Sequence, residues 1–392
     1  MRIRSLQLTD YRNFERLSLE LPAAPCVVVG ANAQGKSNLL EAVYLLATMR
    51  ALRAETEAQL IRRETLSDVL PAARVVGEIE TSEGAARIEV VVARRPGSQG
   101  PLGTKTVKIN GVAKRLSDSV GRLTAVLFTA DDLDLITGPP SGRRHFVDIA
   151  LAQIDREYAA ARSRYERVLQ QRNHLLKRIR DGDAKRDELQ FWDDELSRCG
   201  ATILGRRATE LREMAVLAAE FHRSLAAGDE LVLAYVPRLD TPGLDPADSG
   251  HDAIAAALAA TFSRSLQRDI GAGMTLQGPH RDDLTFTLNG LSASGFASRA
   301  QQRTISLALR LAEARLLHAR RGEPPLLLLD DILSEMDAVR RRSVMASLSG
   351  TDQVLVTGTD WDRFPQEFLD GAARFEVENG AVRTLVGEQT RR

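Results

Sequence analysis

The sequence predicts an α/β nucleotide-binding protein with a mixed sheet, an antiparallel hairpin region and an inserted, mostly helical second lobe. Three observations predict it. Gly30-Ala31-Asn32-Ala33-Gln34-Gly35-Lys36-Ser37 fits G-x-x-x-x-G-K-[ST], between the apolar run Cys26–Val29 and the helical stretch that begins at Asn38. Leu326–Leu329 runs into Asp330-Asp331, a buried strand delivering acids at its C-terminal end, where open sheets bind ligands. The two halves of this phosphate site stand near opposite ends of the chain, so a large insertion must lie between them, and the charged helical section after residue 141 fits that place.

Length and composition narrow the class. At 392 residues the chain exceeds the roughly 250–300 residues over which one core grows, which argues for two domains. Hydrophobic content of 43% and charged content of 27% are those of a soluble globular protein rather than a disordered or membrane one. The two cysteines, Cys26 and Cys199, form neither a metal-ligand spacing nor a disulfide framework. No apolar leader follows Met1 and no run of about 18 apolar residues occurs, so the expected location is the cytoplasm, without a membrane partner. The formal net charge of zero neither supports nor excludes nucleic acid, because binding depends on a local basic face.

The elements follow in order. Residues 2–9 and 15–21 alternate as strands, an opening that suggests a mixed sheet rather than a simple βαβ start. Helix is expected over 38–49, with a short helix near 57–61 inside an arginine-rich stretch. Residues 73–80 and 86–93 read as strands, and Asn110-Gly111 after Val107–Ile109 marks a hairpin. Gly138–Gly142 breaks the chain before a long helical section, interrupted near 181–183, that runs to about residue 226. Strands are expected at 230–236 and 284–288, the latter ending in Asn289-Gly290, with a helix over 252–270. An apolar-periodic helix follows from Ser298 to about Ala319, then the strand 326–329, a helix at 337–348, a strand at 353–357 and a terminal hairpin over 375–385.

The chemistry sits in a few of these residues. Gly30 and Gly35 let backbone N–H groups turn towards phosphate oxygens, and the following helix adds its dipole. Lys36 would reach the β/γ-phosphates and Ser37 would ligate Mg²⁺. Asp330 is placed to hold Mg²⁺ and Asp331 to orient the attacking water. Ser298 either caps its helix or meets a phosphate, and the cap alone accounts for it locally. Between Ser141 and Arg180 stand ten Lys/Arg against four Asp/Glu, which fits either a solvated helix face or a DNA-facing surface. Candidate DNA contacts are Arg50, Arg53, Arg62 and Arg63, together with Arg143 and Arg144.

Taken together these blocks resemble the RecF family, which is related to the SMC and ABC-type ATPases. Tyr11–Phe14 is similar to its first turn, Gly30–Ala42 to its Walker A and helix, and Phe128–Leu133 with Arg143-Arg144 to a further block. Gly278-Pro279-His280-Arg281-Asp282-Asp283 is specific to it, Ser298–Arg303 stands at its signature, and Asp330–Asp337 resembles its Walker B and D-loop. Ala33 and Ala300 stand where the family usually has glycine, and Met336 where it has leucine.

The resemblance implies an ABC-type ATPase head over residues 1–140 and 271–392, with the helical lobe at 141–270. It implies ATP and Mg²⁺ as cofactors, held by Arg12, Asn13, Gly30, Ala31, Asn32, Ala33, Gln34, Gly35, Lys36, Ser37, Asn38 and Gln301. It further implies a homodimer formed on ATP, with Ser298 serving the partner's nucleotide and Lys36, Asp330, Asp331 and Ser298 acting in hydrolysis. Its expected partners are double-stranded and gapped or junction DNA and RecR, with an indirect role beside RecA. Two alternatives remain: an SMC-like tether, for which the insert is short and lacks sustained heptads, and a DNA-binding module with very weak ATPase. A transporter subunit is disfavoured because its two halves would lie closer in sequence.

Overall fold

The computed structural model describes residues 1–52, 56–94, 103–226, 228–241, 243–332, 341 and 352–385. The chain divides into two compact units, Met1–Asp131 with Glu313–Arg392, and Asp132–Ala312.

The first unit holds two six-stranded sheets. Strands β1 (Arg2–Tyr11), β2 (Phe14–Glu20), β4 (Ala72–Thr81), β5 (Gly84–Arg94), β6 (Gly103–Ile109) and β7 (Val112–Lys114) form an antiparallel sheet in the order β2-β1-β4-β5-β6-β7. The second sheet contains β3 (Cys26–Val29), β8 (Ala125–Phe128), β12 (Leu326–Leu329), β13 (Val354–Gly358), β14 (Ala373–Glu378) and β15 (Ala381–Leu385), in the order β15-β14-β3-β13-β12-β8. All its pairs are parallel except β14 with β15. The mixed sheet is therefore present, but its antiparallel member is β15. Strands β1 and β2 instead join the hairpin region, because β1 takes β4 as its second neighbour.

Every residue of β3, β8 and β12 is buried, which is why these strands read as continuous apolar runs rather than alternating ones. Gln353, itself 1% exposed, stitches the sheets together: its Oε1 accepts from Ile3 N at 2.9 Å and its Nε2 donates to Ile3 O at 3.1 Å. At the β6–β7 turn Asn110 and Gly111 both take positive φ, 50° and 80°, the geometry their sequence signals. Helix α1 (Lys36–Thr48) begins two residues earlier than periodicity places it, because the glycine loop feeds straight into it.

The second unit contains helices α2 (Pro140–Ile154), α3 (Arg156–Arg180), α4 (Gln190–Leu225) and α5 (His251–Ala272). Strands β9 (Leu231–Val236), β10 (Asp283–Leu288) and β11 (Leu291–Ser292) form a three-stranded sheet in the order β11-β10-β9. Helix α6 (Arg299–Arg321) crosses the divide between the units. The break at Asp155 is one that the helical pattern did not signal; Asp155 Oδ1 accepts from Tyr158 N at 2.9 Å and caps α3. The helix expected at 337–348, with Met336 and Asp337, lies outside the described residues.

The core of this unit is partly ionic. Arg172 is 0% exposed, bonded to Asp193 at 2.6 Å and to Asp269 and Thr275 at 2.8 Å, with its guanidinium over the Phe262 ring. Arg207 donates to Asp148 at 2.7 Å, to Asp282 at 3.0 Å and to Pro279 O at 2.7 Å. Gly278–Asp283, a block specific to the resemblance, is thus a structural hub. Asp282 also accepts from Tyr235 OH and from Arg238 N, and Gly278 sits at φ 111° where a Cβ would lie 2.8 Å from Tyr165 OH.

Candidate functional site

The site in the first unit forms at the C-terminal ends of adjacent parallel strands. β3 delivers the loop Gly30–Gly35, β12 delivers Asp330-Asp331, and β13 lies between them. The loop glycines have steric reasons. A Cβ on Gly30 would stand 2.3 Å from Val377 O, and Gly35 takes φ 116° with its missing Cβ 2.5 Å from Asn13 Nδ2. Ala33 takes φ 66°, a left-handed conformation that costs a non-glycine residue about 1–2 kcal/mol. The family's usual glycine at this position has that physical basis. Ala31, Asn32 and Ala33 are exposed, so the loop's crest is open.

Helix α1 starts at Lys36 with no side-chain cap, leaving its first N–H groups directed at the loop. Lys36 is nearly buried; its Nζ donates to Gly30 O at 2.6 Å and Ala31 O at 2.9 Å. Burial pulls the Lys36 pKa below its ordinary value, against the opposing pull of Asp331, Asp330 and Asp360. Ser37 Oγ donates to Asp330 Oδ1 at 2.8 Å, across 293 residues of sequence.

Two residues support this junction that sequence reasoning missed. Thr357 Oγ1 donates to Asp330 Oδ1 at 3.0 Å and accepts from Asp331 N at 2.9 Å. Its only signal was its place at the end of a strand in a sheet that binds at that edge. Glu41 receives Arg12 in a two-pronged bond, Nε at 2.9 Å and Nη2 at 2.8 Å. Arg12 also donates to Gln59 O at 3.0 Å, so it braces α1 and the segment after it. Asn13 Nδ2 donates to Gln34 O at 2.9 Å and its Oδ1 accepts from Asn38 at 2.8 Å, which ties the loop to α1. Asn379 N donates to Gln34 Oε1 at 2.5 Å from the β14–β15 turn. Arg12, Asn13, Gln34 and Asn38 thus hold the loop's shape, whatever they touch beyond it.

Mg²⁺ fits the donor set. Ser37 and Asp330 offer hard oxygens within hydrogen-bond distance of each other. Among the described residues no cluster of three or more His, Cys, Asp or Glu forms an all-protein cage, and Mg²⁺ typically takes one or two carboxylates plus substrate phosphates.

Ser298 and Gln301 belong to the second unit. They form a capping box: Ser298 Oγ accepts from Gln301 N at 3.3 Å and Gln301 Oε1 accepts from Ser298 N at 2.9 Å. Ser298, Arg299 and Ala300 are exposed.

The basic residues divide. Arg63 is exposed, and Arg50 is half-buried. Arg62 is ion-paired to Glu15 and Glu64, each at 3.2 Å. Arg53 lies outside the described residues. Arg143 makes a two-pronged pair with Asp283, at 2.7 and 3.0 Å, and donates to Gly138 O at 2.7 Å. Arg144 donates to Asp282 O at 2.7 Å. Within the basic stretch from Arg143, Arg143, Arg144 and Arg172 thus serve to hold the second unit together, whereas Arg156, Arg164, Arg167, Lys177, Arg178 and Arg180 are exposed.

Comparison with known proteins adds the following. The family model of the RecF/RecN/SMC N-terminal domain matches residues 2–368. The chain is 42% identical over 392 residues to the DNA replication and repair protein RecF of Roseiflexus castenholzii, covering 97% of this chain and 99% of that one. It is 35% identical over 385 residues to the protein of the same name from Bacillus subtilis, covering 97% and 100%. A solved structure described as the recombination mediator protein RecF-ATP in the RecFOR pathway superposes with a TM-score of 0.86 at 28% identity, covering 98% and 97%. The Smc head domain of Pyrococcus furiosus, at 16% identity and a TM-score of 0.51 over 98% and 95%, shares the fold.

Proposed function

The chain belongs to the RecF family, and on that premise we propose that it is an ATP-dependent DNA-binding recombination mediator. It dimerises on ATP, binds double-stranded and gapped or junction DNA, and with RecR helps load RecA at single-stranded gaps. The observation that carries the ATPase part is the Ser37–Asp330 bond, which joins the two halves of a phosphate site from opposite ends of the chain. The relatives' names support a role in DNA repair and recombination, and the ATP-bound relative supports ATP as the ligand.

In this reading Ser37 and Asp330 would hold Mg²⁺, which would supply positive charge to offset that of the phosphates. Lys36 exchanges the carbonyls of Gly30 and Ala31 for the phosphates. Asp331, its backbone anchored by Thr357, orients the water for attack on the γ-phosphorus. The partner subunit's Ser298 closes the other side of the nucleotide with its hydroxyl and its helix N-terminus.

Light scattering with saturating ATP and Mg²⁺ tests the shared site. The parent chain is expected to double its mass and the Ser298→Arg chain to stay monomeric while still binding ATP. Equal dimerisation of the two would reduce Ser298 to a helix cap and overturn the shared site.

A further inference from the structure

We propose that Asp229 is a positioning residue for the Ser298 loop: one carboxylate oxygen, with the other anchored by Asn289, fixes the side chain of Gln301, and through it the capping box that presents Ser298 to nucleotide. The inference rests on the shared-site reading above. Asp229 lies in the turn between α4 and β9 and received no role from the sequence motifs.

The geometry is a directed relay. Gln301 Nε2 donates to Asp229 Oδ2 at 3.1 Å, and Asn289 Nδ2 donates to Asp229 Oδ1 at 2.8 Å. At its other end Gln301 Oε1 accepts from Ser298 N at 2.9 Å. Ser298 N–H thereby claims the one acceptor of the Gln301 amide, so the NH₂ end must find an acceptor on the opposite side. An ionised carboxylate has no donor and offers both oxygens, one for Gln301 and one for Asn289. An asparagine at 229 has a single acceptor oxygen and would turn an NH₂ group at one of these two donors.

Asn289 is held in turn by the backbone: its Oδ1 accepts from Glu230 N at 2.8 Å and its N–H donates to Glu230 O at 2.9 Å. The relay therefore ends on the paired strands β9 and β10, not on a mobile side chain. The bonds from Asn289 and Gln301 hold the Asp229 carboxyl below its ordinary range, because both donors favour its charged form. All these groups lie in the second unit, whereas Lys36 and Ser37 lie in the first. Removing the relay should leave a monomer's own grip on ATP intact and affect only what Ser298 does.

The test uses the full chain. Asp229→Ala and Asp229→Asn are compared with the parent and Ser298→Ala for fluorescent-nucleotide affinity of the monomer, ATP-driven dimerisation by light scattering, and steady-state ATPase. Both Asp229 variants are expected to bind nucleotide within twofold of the parent, to need at least tenfold more protein to dimerise, and to lose at least tenfold in kcat. Asp229→Asn, nearly isosteric, gives the answer if the alanine chain fails to fold. The double variant Asp229→Asn/Ser298→Ala should lose little beyond Ser298→Ala alone, because both changes disable one unit; independent structural damage would instead multiply. Parent-like dimerisation and kcat in Asp229→Asn, or multiplicative losses in the double variant, would overturn the proposal. Ser298→Arg run alongside separates the layers: if it blocks dimerisation while Asp229→Asn does not, only the positioning role fails, and if Ser298→Arg dimerises, the shared site fails and the positioning role with it.

Discussion

Lys36 spends its ammonium on two carbonyls of its own loop, an arrangement in which burial works against its charge and three aspartates work for it. A triphosphate supplies far more negative charge at the same place, so exchanging carbonyl partners for phosphate is favourable. Lys36→Met is expected to weaken ATP binding at least tenfold, about 1.4 kcal/mol, in a nucleotide titration of the folded chain. The two aspartates should separate. Asp330→Asn removes the charge beside Ser37 and should weaken Mg²⁺-dependent nucleotide binding. Asp331→Asn should bind ATP like the parent yet lose about 10²-fold or more in kcat, the span of a lost water-positioning base. Equal turnover of Asp331→Asn and parent would remove Asp331 from the chemistry. Lys36 and Ser37 were legible because their spacing is local: a glycine, four intervening residues and Gly-Lys-Ser specify the loop within eight positions. Thr357 was not, since a threonine ending a strand has no signature until β13 is known to lie between β3 and β12.

At the scale of elements, apolar period and turn chemistry marked most of the strands and helices. Asn110-Gly111 and Asn289-Gly290 turn where their left-handed tolerance requires, with φ of 50° and 80°, and 51° and 78°. What stayed hidden was the burial of charge. An arginine on a helix looks the same in sequence whether it faces water, DNA or an aspartate 97 residues away, and Arg172 does the last. The Gly278–Asp283 segment gives this a measurable consequence. His280 is half-buried, accepting from Tyr165 OH at Nδ1, 2.8 Å, and donating from Nε2 to Thr275 O, 3.0 Å. Burial, the largest influence, lowers its pKa from 6.5 to about 4, so the folded unit holds it neutral. As pH falls through 6.5 the unfolded chain takes up the proton and the folded one does not. The stability contributed by neutral His280 is whole above 6.5 and is lost progressively towards pH 4, by roughly 3 kcal/mol at the limit. With Trp361 replaced by Phe, Trp192 reports on the helical unit alone. Its urea midpoint should drop more between pH 7 and 5 in the parent than in His280→Gln. An equal drop in both would assign the acid sensitivity elsewhere.

For the molecule as a whole, a net charge of zero means that DNA must be met by a local patch, and the structure narrows which arginines can form one. Arg143 is already committed to Asp283 through two prongs with its side chain 11% exposed, and a phosphate could engage it only by breaking that pair. Arg63 is exposed, in the segment that Arg12 braces against the nucleotide helix through Gln59 O. The two arginines should therefore fail differently. Each phosphate contact that is lost lowers the slope of log affinity against log salt by about 0.9. Arg63→Ala should flatten that slope by about one, weaken binding to duplexes of unrelated sequence equally, and leave thermal stability and ATP affinity unchanged. Arg143→Ala should leave the slope as it is and lower the unfolding temperature, because it strands Asp283 and removes a two-pronged, partly buried ion pair worth about 1–3 kcal/mol. Filter binding or fluorescence anisotropy across 50–300 mM salt (~2.4-fold in the Debye length), with a thermal melt of each variant, reads both quantities. If Arg143→Ala flattened the slope with an unchanged melt, the guanidinium must leave Asp283 for DNA. The basic stretch after residue 141 would then be a DNA surface after all, held closed by its own aspartate.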